Sequence, residues 1–288
     1  MGYPGGEATA ALVEAPRPFL RTALEKVRDQ VEPFVGLGHV QSSVERYGFG
    51  MAVATVDGEV CGVGDYRTPF ALRGLAKVFG FALAHALDDT GHWTAGVPHN
   101  PFDVLGAVVT TDRLLTRTGD AAGALRAFLC AQSGNPALAA AAEPEPADSS
   151  ALAPVVTGAD TLDNPVSTVV DHYTRQCAIL MSCADLSAAA LFLARGGVGA
   201  DGNRLLARDA TRRLNAIMLV CGMYGGAGEF AYRVGLPAKS GSGGGIIAVV
   251  PNRCVVSVWS PGLDACGNSV AGVAALEAFS GATGWSVF

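Results

Sequence analysis

The chain has 288 residues, of which 50% are hydrophobic and 16% charged, and its formal net charge is −6 at pH 7. This composition can fill a large core, and the negative charge without a Lys/Arg cluster excludes a nucleic-acid-binding surface. No apolar run reaches the roughly 18 residues of a membrane-spanning helix, so we expect no membrane partner. The seven cysteines lack CxxC spacing and the five histidines lack HxxxH spacing. We therefore expect free thiols in a cytoplasmic protein, and no metal or other cofactor.

The N-terminal part is predicted to contain an arm, a helix and a hairpin. Residues 1–17 lack a basic region followed by a long apolar stretch, so we interpret them as a flexible arm rather than a signal peptide. Residues 18–288 are predicted to form a single domain. The spacing of apolar residues predicts a helix over 18–35, and alternation around an Asp-Gly turn predicts a hairpin over 47–65.

The central part is predicted to be a helical insertion, from about residue 89 to residue 222. A helix over 73–88 precedes it. Residues 137–160 are rich in alanine and proline, and their prolines exclude one long helix, so we predict a mobile loop there. Further helices are predicted over 164–180, 184–195 and 207–221.

The C-terminal part is predicted to return to strands. They are expected over 229–236, 245–250 and 254–260, before a last helix over 268–280. The order of hairpin, helices, strands and helix predicts an α+β fold, in which helices cover an antiparallel sheet.

The segment "FALRGLAKVF", residues 70–79, raises the first question of chemistry. Gly74 precedes Lys77 by three residues at the start of a predicted helix. Many acyl-transfer enzymes carry Ser-x-x-Lys in such a place, with the serine as nucleophile and the lysine as its partner. Lys77 could equally be a surface lysine whose stem covers apolar neighbours.

Two further signals could belong to a site. In "GLPAKSGSGGG", a predicted strand ends in Lys239-Ser240-Gly241, which is similar to the Lys-Thr/Ser-Gly strand of β-lactamase-like active sites but could be a polar turn. Tyr173 and Tyr224 each adjoin the end of an apolar helix. A tyrosine there could transfer protons, or could be a structural residue with one hydrogen bond.

Together and in this order, these segments resemble the serine-dependent, β-lactamase-like glutaminases. The resemblance covers about residues 20–288 and includes "HNPFDVLGAVV", "YTRQCAILMSCADL" and the stretch 220–275. It implies a serine β-lactamase/penicillin-binding-protein-like fold, an α/β sandwich with a helical subdomain. It also implies a homodimer or homotetramer, and a reaction in which serine attacks the glutamine amide while lysine and tyrosine move protons.

The resemblance assigns roles residue by residue. The family's lysine and two tyrosines are matched, so the implied catalytic residues are Lys77, Tyr173 and Tyr224. The nucleophile position falls on Gly74. The implied substrate-binding positions are Gly74, Val31, Val104, Ser240, Ser242 and Asp148, and a further one falls on Val155.

Glycine cannot act as a nucleophile, and valines would leave a zwitterion's charges unpaired. We therefore expect that glutamine hydrolysis is lost. The expected function is acid/base-catalysed cyclisation, isomerisation or elimination on a small, largely apolar metabolite. Two alternatives stay open. One is hydrolysis of glutamine through a surrogate nucleophile, for which Ser242 and Ser240 are candidates, and the other is a non-catalytic binding protein.

Overall fold

The structure, a computed structural model, describes residues 17–40, 46–88, 100–141 and 162–288. The predicted N-terminal arm, apart from its last residue, and most of the predicted Ala/Pro-rich loop lie outside the described residues. Within them, no helix is both long and apolar enough to cross a membrane.

The structure contains ten α-helices and seven strands in the described residues. The α-helices are α1 (Arg17–Val31), α2 (Ala76–Leu87), α3 (Val104–Thr118), α4 (Ala121–Ser133), α5 (Val166–Cys177), α6 (Cys183–Ala189), α7 (Leu191–Ala194), α8 (Arg208–Cys221), α9 (Ala227–Arg233) and α10 (Val270–Thr283). The strands are β1 (Gly50–Thr55), β2 (Val60–Gly64), β3 (Phe70–Ala71), β4 (Leu180–Met181), β5 (Ala238–Ser240), β6 (Gly245–Val250) and β7 (Cys254–Trp259). Short 3-10 turns occupy Glu32–Phe34, Arg73–Leu75 and Tyr224–Gly226.

One antiparallel sheet forms the centre of the fold. Its strand order is β2-β1-β7-β6-β5, and β3 pairs with β4 in a separate two-stranded sheet. All residues of β6 and β7 are buried. Strands buried on both faces need apolar residues at successive positions, which explains the continuous apolar runs in the sequence.

Helices cover both faces of this sheet. On one face, α1 and α10 pack through residues such as Val27 and Phe279. On the other face lies the helical subdomain, with Phe79 of α2 and Phe192 of α7 in its core. This arrangement confirms the predicted α+β architecture of an antiparallel sheet flanked by helices.

The predicted strand over 229–236 is wrong, because these residues form most of helix α9. Apolar residues alternate there in the sequence, which suggested a strand. In the helix, Phe230 and Val234 are one turn apart and buried together, whereas Tyr232 is 87% exposed. Short apolar runs fit both periods, and packing decides between them.

Candidate active site

Lys77 is held at the beginning of α2 by the start of α3. Its Nζ donates hydrogen bonds to the carbonyl oxygens of Phe102, at 2.9 Å, and Asp103, at 3.2 Å. Asp103 is the N-cap of α3, because its Oδ1 accepts from the N–H of Gly106 at 2.7 Å. Burial lowers the pKa of Lys77, and the nearby Cys177 and Asp103 partly offset this shift.

Tyr173 and Cys177 lie one turn apart on α5 and therefore share one face of the helix. The Tyr173 ring centroid is 6.0 Å from Lys77 Nζ. Burial, followed by the proximity of Cys177, raises the pKa of Tyr173 well above its ordinary value. The tyrosine thus stays protonated and can donate.

Gly74 lies between these helices and the sheet. A Cβ atom placed on it would be 2.9 Å from Tyr224 Oη, 3.2 Å from the carbonyl oxygen of Ser240 and 3.4 Å from Gly241 Cα. The position that the resemblance assigns to the nucleophile therefore faces the Tyr224 hydroxyl and the end of β5, and it carries no side chain.

Tyr224 reaches this point from a strained backbone. Its φ is +49°, in the left-handed region that residues other than glycine rarely adopt. Such strain persists where the surrounding structure imposes it, often at functional sites. Tyr224 is 38% exposed overall. Its hydroxyl end nevertheless lies in the cleft, where burial and then Cys177 raise its pKa to about 12.

A second lysine, Lys239, completes the cleft from β5. It is fully buried, its Nζ lies 4.4 Å from the Tyr224 ring centroid, and it donates to the carbonyl of Ser240. Burial, with a smaller contribution from Lys77, lowers its pKa well below the ordinary value. Lys239 belongs to the segment "GLPAKSGSGGG", but this segment alone gave no reason to assign it a catalytic or binding role. The Lys-Ser-Gly motif was the available signal.

The cleft also contains Cys177 and Arg73, neither of which the sequence analysis considered. Arg73 precedes Gly74. Burial raises the pKa of the Cys177 thiol, and the nearby Tyr173, Lys77 and Arg73 offset only part of this shift. Among the described residues, no cluster of three or more His, Cys, Asp or Glu side chains could hold a metal ion.

The remaining predicted site residues are distributed unevenly. Val104 is the half-buried first residue of α3, next to Asp103. Ser240 ends β5, and its buried hydroxyl has no hydrogen-bond partner in the described part of the chain. Ser242 lies in the following turn, whose Gly243 approaches Arg73. Asp148 and Val155 lie outside the described residues.

Val31 is not in the cleft. It is fully packed in the core between α1, α10 and the sheet, on the face opposite the helical subdomain. Lys77 lies on the subdomain face, so the fold does not bring Val31 and Lys77 together.

The fold and the cleft together define a class. An antiparallel sheet flanked by helices, with a lysine at the start of a buried helix and another on strand β5, is the arrangement of β-lactamase and penicillin-binding-protein-like folds. The sequence model of the family described as Glutaminase matches residues 90–288. The chain is 48% identical to a glutaminase of Streptomyces coelicolor over 93% of its own length and 98% of that relative. The chain belongs to the glutaminase family.

Another relative supports the family membership, and solved structures support the fold. A glutaminase of Ralstonia nicotianae is 41% identical over 92% of this chain and 98% of its own. The structure of the probable glutaminase ybaS superposes with a TM-score of 0.80 at 28% identity, covering 95% of this chain and 99% of that one. The Bacillus subtilis glutaminase YbgJ, solved in covalent complex with 5-oxo-L-norleucine, gives 0.84 at 24% identity, covering 94% and 100%, and supports the fold.

These relatives overturn the expectation that glutamine hydrolysis is lost. The 48% identity to a glutaminase, along nearly the whole of both chains, supports glutaminase activity instead of a lyase, isomerase or cyclase. The comparisons also give no support to a non-catalytic binding protein. Val31, one of the valines expected to make the pocket apolar, lies in the core instead.

Proposed function

We propose that the protein hydrolyses the side-chain amide of L-glutamine to L-glutamate and ammonia. The observation that carries this proposal is the convergence of Lys77, Tyr173 and Tyr224 around Gly74, in a chain 48% identical to a glutaminase. Amide hydrolysis needs a base for the attacking group and an acid for the leaving nitrogen. The cleft supplies both.

Lys77 is suited to the role of base. Because burial lowers its pKa, a larger fraction of the amine is neutral than in an exposed lysine. A neutral amine has two N–H donors and one lone pair. The carbonyls of Phe102 and Asp103 engage the two donors, which leaves the lone pair available to accept a proton.

Tyr173 and Tyr224 are suited to the role of acid and relay. Burial raises the pKa of both, so each keeps its proton at neutral pH. Lys239 Nζ lies 4.4 Å from the centroid of the Tyr224 ring, so the two side chains pack together. Gly74 supplies no nucleophile, so the reaction requires a surrogate from another group of the cleft.

We further propose that the protein works in the cytoplasm as a homodimer or homotetramer. All seven cysteines lie in the described residues and none forms a disulfide, which suits a reducing compartment. The oligomer follows from the family resemblance, and light scattering of the purified protein at micromolar concentration measures it. A monomeric mass would contradict the assembly.

The test of the function is release of ammonia and glutamate from L-glutamine, with L-asparagine as the comparison substrate. Lys77→Ala removes the proposed base, and Lys26→Ala, an exposed lysine of α1, is the matched control. We expect turnover by the wild type and the control, and a loss of at least about 100-fold in Lys77→Ala. Wild-type turnover no higher than that of Lys77→Ala would overturn the proposal.

A second test uses 6-diazo-5-oxo-L-norleucine, the compound whose reaction with the Bacillus subtilis glutaminase YbgJ gave its covalent complex. We expect time-dependent inactivation of this protein, with protection by L-glutamine. Absence of any covalent adduct at full turnover would contradict a covalent route.

A further inference from the structure

The carbonyl oxygen of Met223, the residue before Tyr224, accepts two hydrogen bonds. The backbone N–H of Gly226 donates one at 3.0 Å and closes the 3-10 turn that carries Tyr224. The side-chain amide of Asn268 donates the other, with 3.1 Å between its Nδ2 and the Met223 oxygen. A side chain that is 45 positions away in the sequence therefore holds the turn from which Tyr224 enters the cleft.

Asn268 contributes more than packing at this position. The residue is 2% exposed, and its Oδ1 has no hydrogen-bond partner in the part of the chain that the structure describes. Burying an unpaired acceptor is unfavourable, and an apolar side chain of similar size would avoid that cost. A Cβ atom placed on Gly226 would lie 3.1 Å from Asn268 Nδ2, so the amide lies directly against the turn. What an asparagine adds here is the donor to Met223.

The loop before α10 holds Asn268 in place. Asp264 Oδ1 accepts hydrogen bonds from the backbone N–H groups of Cys266, at 2.8 Å, and Asn268, at 2.9 Å. The Asp264 N–H in turn donates to the carbonyl oxygen of Asn268 at 2.8 Å. The next residue, Ser269, is the N-cap of α10. Residues 264–268 are therefore fixed by their own hydrogen bonds and by the start of α10.

The same loop lies beside the ring of Tyr224. Gly267 has φ +86°, and a Cβ atom placed on it would be 3.9 Å from Cδ2 and Cε2 of the ring. Tyr224 itself has φ +49°, which its Cβ disfavours, so its backbone needs support from its neighbours. Its hydroxyl lies 2.9 Å from the place where Gly74 would carry a Cβ. The loop thus supports both the backbone and the ring of the tyrosine.

We propose that Asn268 is a positioning residue for the reaction, which holds the turn of Tyr224 so that the tyrosine hydroxyl stays beside Gly74. This inference rests on the proposed function, in which Tyr224 moves protons. Without the Asn268 donor, the Met223 carbonyl oxygen keeps only its bond to Gly226, and the strained turn can relax. A displacement of about 1 Å at a reacting group can lower a rate about 100-fold. Asn268 should therefore affect the chemical step more than the binding of glutamine.

The experiment compares substitutions of two asparagines in glutamine hydrolysis. Asn268→Leu keeps the approximate volume and removes the donor to Met223. Asn215→Leu is the matched control, because Asn215 likewise donates from Nδ2 to a backbone carbonyl, that of Leu193 at 3.2 Å, and has a buried Oδ1 without a partner in the described residues. We expect kcat to fall about 10- to 100-fold in Asn268→Leu, with KM within about threefold of the wild type, and neither to change in the control. Thermal unfolding of each variant reports whether it folds.

A double variant separates positioning from general support of the fold. If Asn268 acts through the Tyr224 hydroxyl, adding Asn268→Leu to Tyr224→Phe should leave the remaining rate unchanged, because the hydroxyl is already absent. A substitution that only loosens the fold would lower the rate by the same factor in both backgrounds. If the rate of Tyr224→Phe is too low to measure, the difference in kcat between Asn268→Leu and Asn215→Leu decides alone.

The outcomes separate this inference from the function on which it rests. A wild-type kcat in a folded Asn268→Leu, or an equal loss of rate in both backgrounds, overturns the role of Asn268 and leaves the glutaminase activity standing. A wild type without glutamine turnover overturns both. If Asn268→Leu fails to fold, Asn268→Ala removes the donor without adding bulk and takes its place in each comparison.

Discussion

Restoring a hydroxyl at Gly74 is the sharpest perturbation that the cleft offers. In Gly74→Ser, the new Cβ would lie 2.9 Å from Tyr224 Oη and 3.2 Å from the Ser240 carbonyl oxygen, where ordinary contacts begin at 3.4 Å. Tyr224 Oη must therefore move by about 0.5 Å and the carbonyl by about 0.2 Å. The tyrosine hydroxyl can shift because it ends a side chain, and overpacking of this kind costs about 1–3 kcal/mol.

The gain in rate should exceed this cost. The serine would precede Lys77 by one helical turn and face Tyr224, which supplies a positioned nucleophile next to a base. We expect glutamine turnover to rise at least about 100-fold over the wild type.

The assay measures ammonia release under single-turnover and steady-state conditions, with thermal unfolding as a check on the fold. Gly80→Ser is the matched control, since it adds the same side chain to α2, where a Cβ meets no atom closer than 3.9 Å. A folded Gly74→Ser that is no faster than the wild type would refute the assignment of Lys77 as a base beside Gly74.

Three other substitutions test the physical chemistry of the cleft and its support. The wild-type rate should rise with pH through a pKa below 10.5, because the neutral Lys77 amine is the base, and Lys77→Arg should abolish this limb of the pH profile. Lys239→Met should raise the free energy of unfolding at pH 7 by about 1–4 kcal/mol in urea titrations. A lysine pKa lowered in the folded state means that the unfolded chain binds more protons, so this gain should shrink as pH approaches 10.5. Asp112→Ala should destabilise the protein by about 2–4 kcal/mol, since Asp112 accepts hydrogen bonds from the backbone N–H groups of Asp163 and Asn164 at 3.0 and 2.9 Å. An Asp112→Ala melting temperature equal to the wild type would contradict that support.

Local patterns were sufficient for four of the five strands in the main sheet. Continuous apolar runs predicted β6 and β7, and alternation around an Asp-Gly turn predicted the hairpin of β1 and β2, because both patterns have the period of a strand. They failed for α9, where Phe230 and Val234 satisfy either period. Only packing against the neighbouring core decides which one forms.

From the sequence, residues of the cleft could be predicted only where they belong to a recognisable motif. Lys77 and Lys239 belong to short patterns that the sequence displays, whereas the approach of the Tyr224 hydroxyl to Gly74 depends on the fold. The distance of 6.0 Å between Lys77 Nζ and the Tyr173 ring joins residues far apart in the chain, so only the fold shows it. Val31 was placed in the site by a pattern match alone. The helix that ends at Val31 packs on the face of the sheet opposite the helical subdomain, and a pattern match does not contain that information.

Asp103 makes two structural contacts, one through its carboxylate and one through its backbone carbonyl. Its carboxylate begins α3, and its carbonyl oxygen holds the amine of Lys77. The proposed general base is therefore anchored to backbone carbonyl oxygens at a helix end rather than to another side chain. Fraying of the first turn of α3 would release the lysine into solvent, where its ordinary proton affinity returns. The lowered pKa of Lys77 thus depends on an intact first turn of α3.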